Sequence, residues 1–264
     1  MTRALIIGGG IAGTVAAMAL QKAGVEATVY EACPSGGDDA GAFLTVGANG
    51  MLALAQIDAH GFVADAGFPL TTIELSDGNG RQIAELPLGG PPSAAPGHHH
   101  LRRAELYRVL QDEAESRGIQ IEHGKRLAEA HAQGNTVLAT FADGSNASGD
   151  LLIGADGLRS RVRSAIDPAA AAPRYTGERV FYGYAPDATP VSAPRVLHMI
   201  RGRKGAFGHT ISPNGETWWF ARIPGVELSR ARIAETSAAA WRSQLVQLFR
   251  RDKTVAAGIS AGHR

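Results

Sequence analysis

Ala4-Leu5-Ile6-Ile7-Gly8-Gly9-Gly10-Ile11-Ala12-Gly13 is the stretch that decides the fold. Four apolar residues running into glycine read as a buried parallel strand. Residues 12–23 are alanine-rich and read as a helix, with Gly24 as its stop. Residues 26–30 read as the next strand. Strand, glycine turn, helix and strand in that order are the setting that gives a G-x-G-x-x-G pattern its meaning. In such a turn Gly8 permits the tight bend, Gly10 lets the backbone approach a pyrophosphate, and Gly13 lets helix and strand pack closely. Ile11 and Ala12 open the helix, whose free N–H groups and partial positive charge face the phosphates. Gly8, Gly10, Ile11, Ala12 and Gly13 are therefore expected to meet a dinucleotide. Glu31 stands at the end of the second strand, close to the spacing of roughly 20 residues at which a carboxylate receives a ribose diol. A carboxylate there repels a 2′-phosphate and disfavours NADP at this site.

The rest of the chain builds outward from that unit. Residues 34–50 are glycine-rich and read as a long excursion before a helix at 51–59. Residues 71–75 and 81–86 flank Asp77-Gly78-Asn79-Gly80, a hairpin signal. Residues 89–97 are rich in Pro, Gly and Ala and read as an exposed connection. Residues 104–117 are an amphipathic helix stopped by Gly118. Strands are expected at 119–122, 135–141 and 151–153, and a helix at 158–166 with Leu158, Val162 and Ile166 on one face. After Asp167-Pro168 the texture changes. Residues 174–223 look strand-like, with a hairpin across Pro213-Asn214-Gly215, and a last helix spans 237–250. A nucleotide domain interrupted by an antiparallel domain follows, with bounds of 1–70 plus 99–168 and 71–98 plus 169–264.

Composition narrows the class. Lys and Arg number 26 against 25 Asp and Glu, which leaves no electrostatic case for nucleic acid or an anionic membrane. No apolar run approaches the roughly 18 residues of a membrane span, and the short run after Met1-Thr2-Arg3 is too brief for a signal peptide. One cysteine, Cys33, rules out an internal disulfide framework, so a cytoplasmic location is expected. His98-His99-His100 is read as a solvated loop and not a metal site, because adjacent loop histidines do not converge and no Cys or carboxylate stands at ligand spacing. Ser160 lacks the G-x-S-x-G setting of a nucleophile. Trp218 and Trp219 alternate faces of a strand, so at most one points into a pocket.

A second motif is more specific. Asp150-Leu151-Leu152-Ile153-Gly154-Ala155-Asp156-Gly157-Leu158-Arg159-Ser160-Arg161-Val162-Arg163 resembles the D-x-x-x-G-A-D-G-x-x-S-x-V-R segment of the flavoprotein aromatic hydroxylases, the family that includes p-hydroxybenzoate hydroxylase. Read without the family, Asp156 is a helix N-cap. Leu101-Arg102-Arg103-Ala104-Glu105-Leu106 resembles the family's Arg-x-x-Leu at a helix start, with Arg103 in the frame and Arg102 as the fallback. Residues 38–44 resemble the loop passing near the flavin ring, and residues 207–220 resemble hairpins of the substrate sheet.

The resemblance implies an α/β, Rossmann-like FAD-binding domain with an antiparallel substrate domain inserted in two pieces. It implies FAD, held by the glycine turn, Glu31, Arg103, Asp156 and Gly157, and NAD(P)H as electron donor. It implies hydroxylation of an aromatic or polyketide-like small molecule. An epoxidase or reductase of related fold and a non-catalytic nucleotide-binding remnant are the alternatives. No catalytic acid or base is read from the sequence, and neither is an oligomeric state. The resemblance extends to about residue 255. The family's Gly-Asp-Ala-Ala-His segment, whose aspartate meets the FAD, has no counterpart in these 264 residues, and the expectation is that the flavin end of the site is left open to water.

Overall fold

The computed structural model describes residues 1–35, 41–88, 97–185 and 195–262. In chain order the elements are β1 Arg3–Ile7, α1 Ile11–Lys22, β2 Glu26–Tyr30, β3 Phe43–Val46, α2 Ala48–Ala55, α3 His60–Asp65, β4 Phe68–Leu70, β5 Thr72–Asp77, β6 Gln82–Pro87, β7 His98–Arg102 and α4 Arg103–Ser116. There follow β8 Gln120–Glu122, β9 Leu127–Gln133, β10 Thr136–Phe141, β11 Asn146–Gly149, β12 Leu151–Gly154, α5 Arg161–Ile166, β13 Glu178–Ala185, β14 Val196–Arg201, β15 Ala206–Ile211, β16 Thr217–Pro224, α6 Arg230–Glu235, α7 Ala238–Phe249 and α8 Ala256–Ala261. They form two compact units, Met1–Gly67 with Leu101–Arg174, and Phe68–His100 with Tyr175–Arg264.

The first unit is built on a parallel sheet in the order β12-β1-β2-β8. Its centre, β1, is apolar on both faces because both faces are covered. Ile6 points into a core shared with Met18 of α1 and with Leu106, Leu110 and Ala114 of α4. Leu5 and Ile7, one residue out of phase, point the other way, onto Leu127, Ala139 and Phe141. Those residues belong to a second sheet, antiparallel and ordered β11-β10-β9, where the Phe141 ring stacks on Tyr30 at 4.8 Å between centroids. Each fully buried Leu or Ile contributes roughly 1.5–3 kcal/mol, so the alternation in a five-residue strand ties three layers together.

The second unit is a six-stranded sheet in the order β13-β16-β15-β14-β5-β6. Its neighbours are antiparallel with one exception. β14 runs parallel to β5, from Val196 beside Thr72 to Arg201 beside Asp77. The sheet is otherwise antiparallel, as expected, and this one pair is an addition to that expectation. The two strands come from different pieces of the unit, separated by a long excursion of chain, and only such a connection can join parallel neighbours. The β5–β6 hairpin is closed by Asp77, whose Oδ1 accepts from the N–H groups of Asn79 at 2.8 Å and Arg81 at 3.0 Å. One face of the sheet is covered by α7 and α8, with Phe207, Trp219 and Ile223 packed against Leu245 and Phe249.

Three expectations are corrected. The helix expected at 51–59 is α2, which starts earlier and ends at Ala55. The helix expected at 158–166 begins only at Arg161, with Leu158 exposed ahead of it and Ile166 exposed at its end, so Val162 alone of that triplet is buried. His98-His99-His100 is not a solvated loop but most of β7, antiparallel to β4, and His100 is buried. Pairing with β4 satisfies the histidine backbone, which propensity alone does not foresee. Most of the connection at 89–97 and residues 38–40 of the flavin-loop segment lie outside the described residues.

Candidate functional site

The turn between β1 and α1 is closed by contacts that only glycine allows. Gly8 has φ +109°, and a Cβ there would lie 2.4 Å from the Ala155 carbonyl oxygen. A Cβ on Gly13 would lie 1.9 Å from the Gly8 carbonyl oxygen. Neither backbone oxygen can retreat, because Ala155 donates its N–H to Ile7 and Gly8 donates to Tyr30. Gly10 is the N-cap of α1 and has no capping side chain, and the first turn of α1 carries no acid. The helix therefore presents bare N–H groups, the preparation for an anion. Ile11 and Ala12 form that first turn, Ile11 with its side chain against the core.

In front of the turn is a cleft of about 300 Å³, within the first unit, lined by Gly8, Gly9, Gly10, Glu31, Tyr107, Gln111, Lys125, Arg126, Asp156, Gly157 and Arg159. Glu31 is fixed by two backbone donors, with Gly9 N–H reaching Oε2 at 2.6 Å and Cys33 N–H reaching Oε1 at 2.8 Å. Each oxygen retains a lone pair for a further donor. The Cys33 thiol is pushed up by partial desolvation and by Glu31 beside it, which disfavours the reactive thiolate.

Helix α4 supplies a stripe that the sequence reading identified only at its first residue. Arg103, Tyr107 and Gln111 are spaced by four and share one face. Gln111 Nε2 donates to the Gly9 carbonyl at 2.7 Å, where Thr14 Oγ1 also donates at 3.2 Å. Tyr107 borders Gly10, its hydroxyl 3.1 Å from where a Cβ would stand. Arg103 opens α4, donates its N–H to Ala42 at 2.8 Å, and lies with its guanidinium 5.5 Å from the Tyr107 ring centroid. Its guanidinium also reaches the Tyr107 hydroxyl at 3.4 Å, next to the residues that line the cleft. A buried glutamine on an apolar helix face was the available signal for Gln111. Lys125, Arg126 and Arg159 had none, because they converge only in three dimensions.

Asp156 and Gly157 lie beside the turn, with the Asp156 Cα 3.0 Å from where a Cβ on Gly8 would stand. Asp156 is not the N-cap itself. That position is Ser160, whose Oγ accepts from Arg163 N–H at 2.9 Å. Asp156 reaches forward instead, with Oδ2 accepting from Arg161 N–H at 2.6 Å and Val162 N–H at 3.2 Å, and Oδ1 accepting from the Ser160 hydroxyl. Gly157 bends the chain away at φ +78°. Arg126, Arg159 and Arg161 have no ion-pair partner among the described residues, whereas Lys125 is raised by its 2.8 Å pair with Asp143. The cleft thus combines a positive rim, bare helix N–H groups and one anchored carboxylate. That donor set fits a phosphate-linked ligand carrying a ribose.

In the second unit, Trp218 is on the face opposite Trp219. It meets Phe68, His100 and Tyr184 at 5.4–5.5 Å between centroids, and its Nε1 donates to Glu216 at 2.8 Å. Burial pushes His100 down to about 4, so its imidazole is neutral near pH 7. Among the described residues no group of His, Cys, Asp or Glu could hold a metal ion, and no helix is long and apolar enough to cross a membrane.

A family model described as FAD binding domain matches residues 1–257. The 3-amino-4-hydroxybenzoate 2-monooxygenase of Streptomyces cremeus is 31% identical over 204 residues, covering 75% of this chain and 50% of that protein. The FAD-dependent urate hydroxylase of Klebsiella pneumoniae is 34% identical over 179 residues, covering 66% and 45%. The crystal structure of Klebsiella pneumoniae HpxO complexed with FAD and uric acid superposes with a TM-score of 0.85 at 24% identity, over 99% of this chain and 65% of that one. The chain spans about half the length of the curated relatives it matches.

Proposed function

From a chain that belongs to the FAD binding domain family, we infer a flavoprotein monooxygenase that takes a small aromatic substrate, with NAD(P)H as electron donor and O₂ as oxidant. The observation that carries the reading is the meeting, in one cleft, of the uncapped α1 N-terminus and the Glu31 carboxylate held by Gly9 and Cys33. When bound, FAD supplies the redox chemistry, and the protein supplies binding, orientation and exclusion of water.

The residues divide by the part of the ligand that each would hold. Gly8, Gly10 and Gly13 shape the turn whose N–H groups receive the pyrophosphate, with Ile11 and Ala12 contributing the first helical amides. Glu31 receives the adenosine ribose. Asp156 and Gly157 form the wall beside Gly8. Arg103, whose guanidinium reaches the Tyr107 hydroxyl, supports that side of the cleft, and Arg126 and Arg159 add positive potential at the rim. Support for the substrate class comes from the named relatives, which act on aminohydroxybenzoate and urate, and from the aromatic face around Trp218 in the second unit.

The test is direct. The purified chain is mixed with FAD, passed over a sizing column and examined for retained flavin absorbance. It is then given NADH or NADPH with a panel of phenols, and oxygenated product is measured against hydrogen peroxide. Retained FAD supports the cleft assignment, and any oxygenated phenol above the peroxide background supports the monooxygenase reading. No retained flavin at any concentration refutes the cleft assignment, and retained flavin that neither NADH nor NADPH reduces refutes the monooxygenase reading.

A further inference from the structure

A second cavity, of about 260 Å³, lies wholly in the second unit, between the outer strand β13 and the helices α7 and α8. It shares no residue with the cleft described above. Trp219 forms one wall, lying so close over Gly183 that a Cβ there would meet its indole at 2.6 Å. Trp241 and Phe181 form another, their rings 5.3 Å apart, with Leu245 and Ile259 below.

Three features separate this cavity from a packing defect. It is larger than the roughly 150 Å³ hole that holds a benzene ring, so it accepts one ring and a substituent. It has an unsatisfied polar group in its wall. Ser260 is among its lining residues, and its hydroxyl, fully buried behind the wall, has no hydrogen-bond partner among the described residues. It also has a charged mouth. Arg242 lines the cavity from the exposed side of α7 and makes no ion pair among the described residues.

We propose that this cavity is a binding site for a monocyclic aromatic carboxylate. The ring packs in the Trp219–Trp241 slot, where offset and edge-on aromatic contacts are favourable. The carboxylate meets the Arg242 guanidinium, whose planar fork matches it.

Isothermal titration of the 264-residue chain with sodium benzoate, and separately with uncharged benzyl alcohol, tests this. The expected result is saturable binding of one benzoate in this cavity, with benzyl alcohol at least fivefold weaker. Arg242→Gln, an exposed substitution, weakens benzoate about tenfold. Ala238→Phe plugs the mouth from an exposed position and abolishes this binding. Circular dichroism confirms that each variant is folded, and if Ala238→Phe is not, Arg242→Gln decides. Absence of saturable binding, or both variants titrating as wild type, overturns the site. Loss with Ala238→Phe but not with Arg242→Gln overturns its assignment to an acid.

Discussion

The Glu31 carboxylate accepts the Gly9 N–H at 2.6 Å, joining the end of β2 to the middle of the glycine turn. A second bond, from Cys33 N–H to the other oxygen at 2.8 Å, removes the remaining freedom of the group. The carboxylate is therefore oriented before any ligand arrives, which lowers the ordering cost of binding. Glu31→Ala is expected to weaken FAD between about ten- and a hundredfold, the equivalent of roughly 1.5–3 kcal/mol for a charge-assisted hydrogen bond, while leaving a cooperative thermal transition. Flavin titration beside a circular dichroism melt measures both. Unchanged FAD affinity removes Glu31 from the site.

Two of the motif glycines, Gly10 and Gly13, are expected to fail in different ways. At Gly13 a methyl group meets a backbone oxygen at 1.9 Å, so Gly13→Ala should destabilise the fold by about 3 kcal/mol or more, the upper range for overpacking. At Gly10 the obstacle is the Tyr107 hydroxyl at 3.1 Å, the far end of a side chain that can yield. Gly10→Ala should therefore cost less than about 1 kcal/mol in stability, while Gly10→Val, whose branches extend toward the phosphate space, should remain folded and lose FAD. Denaturant midpoints paired with flavin titrations separate the two classes. Equal stability losses at positions 10 and 13 contradict the geometry.

Asp156 and Ser160 form one capping unit for α5, since the Ser160 hydroxyl that receives Arg163 N–H also donates to Asp156. Ser160→Ala and Asp156→Ala are each expected to cost about 1–2 kcal/mol. Because they share a bond, the double variant should cost less than the two single losses together. Strict additivity in urea unfolding shows the two residues to be independent caps.

How much of this was legible in sequence depended on the range of the interaction. The β1–α1–β2 unit was read to within a residue at each end, because apolar alternation and glycine spacing are local. Leu158 and Ile166 misled, because a spacing of four suggests a buried helical face whereas α5 starts only at Arg161, where Ser160 caps it. The parallel pairing of β14 with β5 was invisible, since no local pattern records which distant strand will be a neighbour. At the site, Glu31 and the glycines carried a motif. Tyr107 and Gln111 did not, and their part emerged only when α4 was seen to turn the Arg103–Tyr107–Gln111 stripe toward the turn. His98-His99-His100 read as loop because nothing in three histidines announces the β4 strand that pairs with them.

His209 on β15 stacks on His198 of β14, with rings 4.8 Å apart and 12° from parallel. Glu74 of β5 contacts His198 Nδ1 at 3.1 Å, and the Phe207 and Trp219 rings stack alongside on the same face. Burial first, and the neighbouring His198 second, push His209 down to about 4. An unfolded histidine takes up its proton near 6.5. Between those values the unfolded chain binds a proton that the folded chain refuses, so stability is full above about pH 6.5 and falls as the pH drops toward 4. The loss from this one group is on the order of 3 kcal/mol at its limit, and His100, also held at about 4 by burial, acts in the same direction. Urea midpoints of wild type and His209→Gln at pH 7.5, 5.5 and 4.5 test the sign. The wild-type midpoint should fall across the series, and that of His209→Gln should fall less. A variant that loses stability with acid as steeply as wild type shows that the stacked pair does not control the acid response.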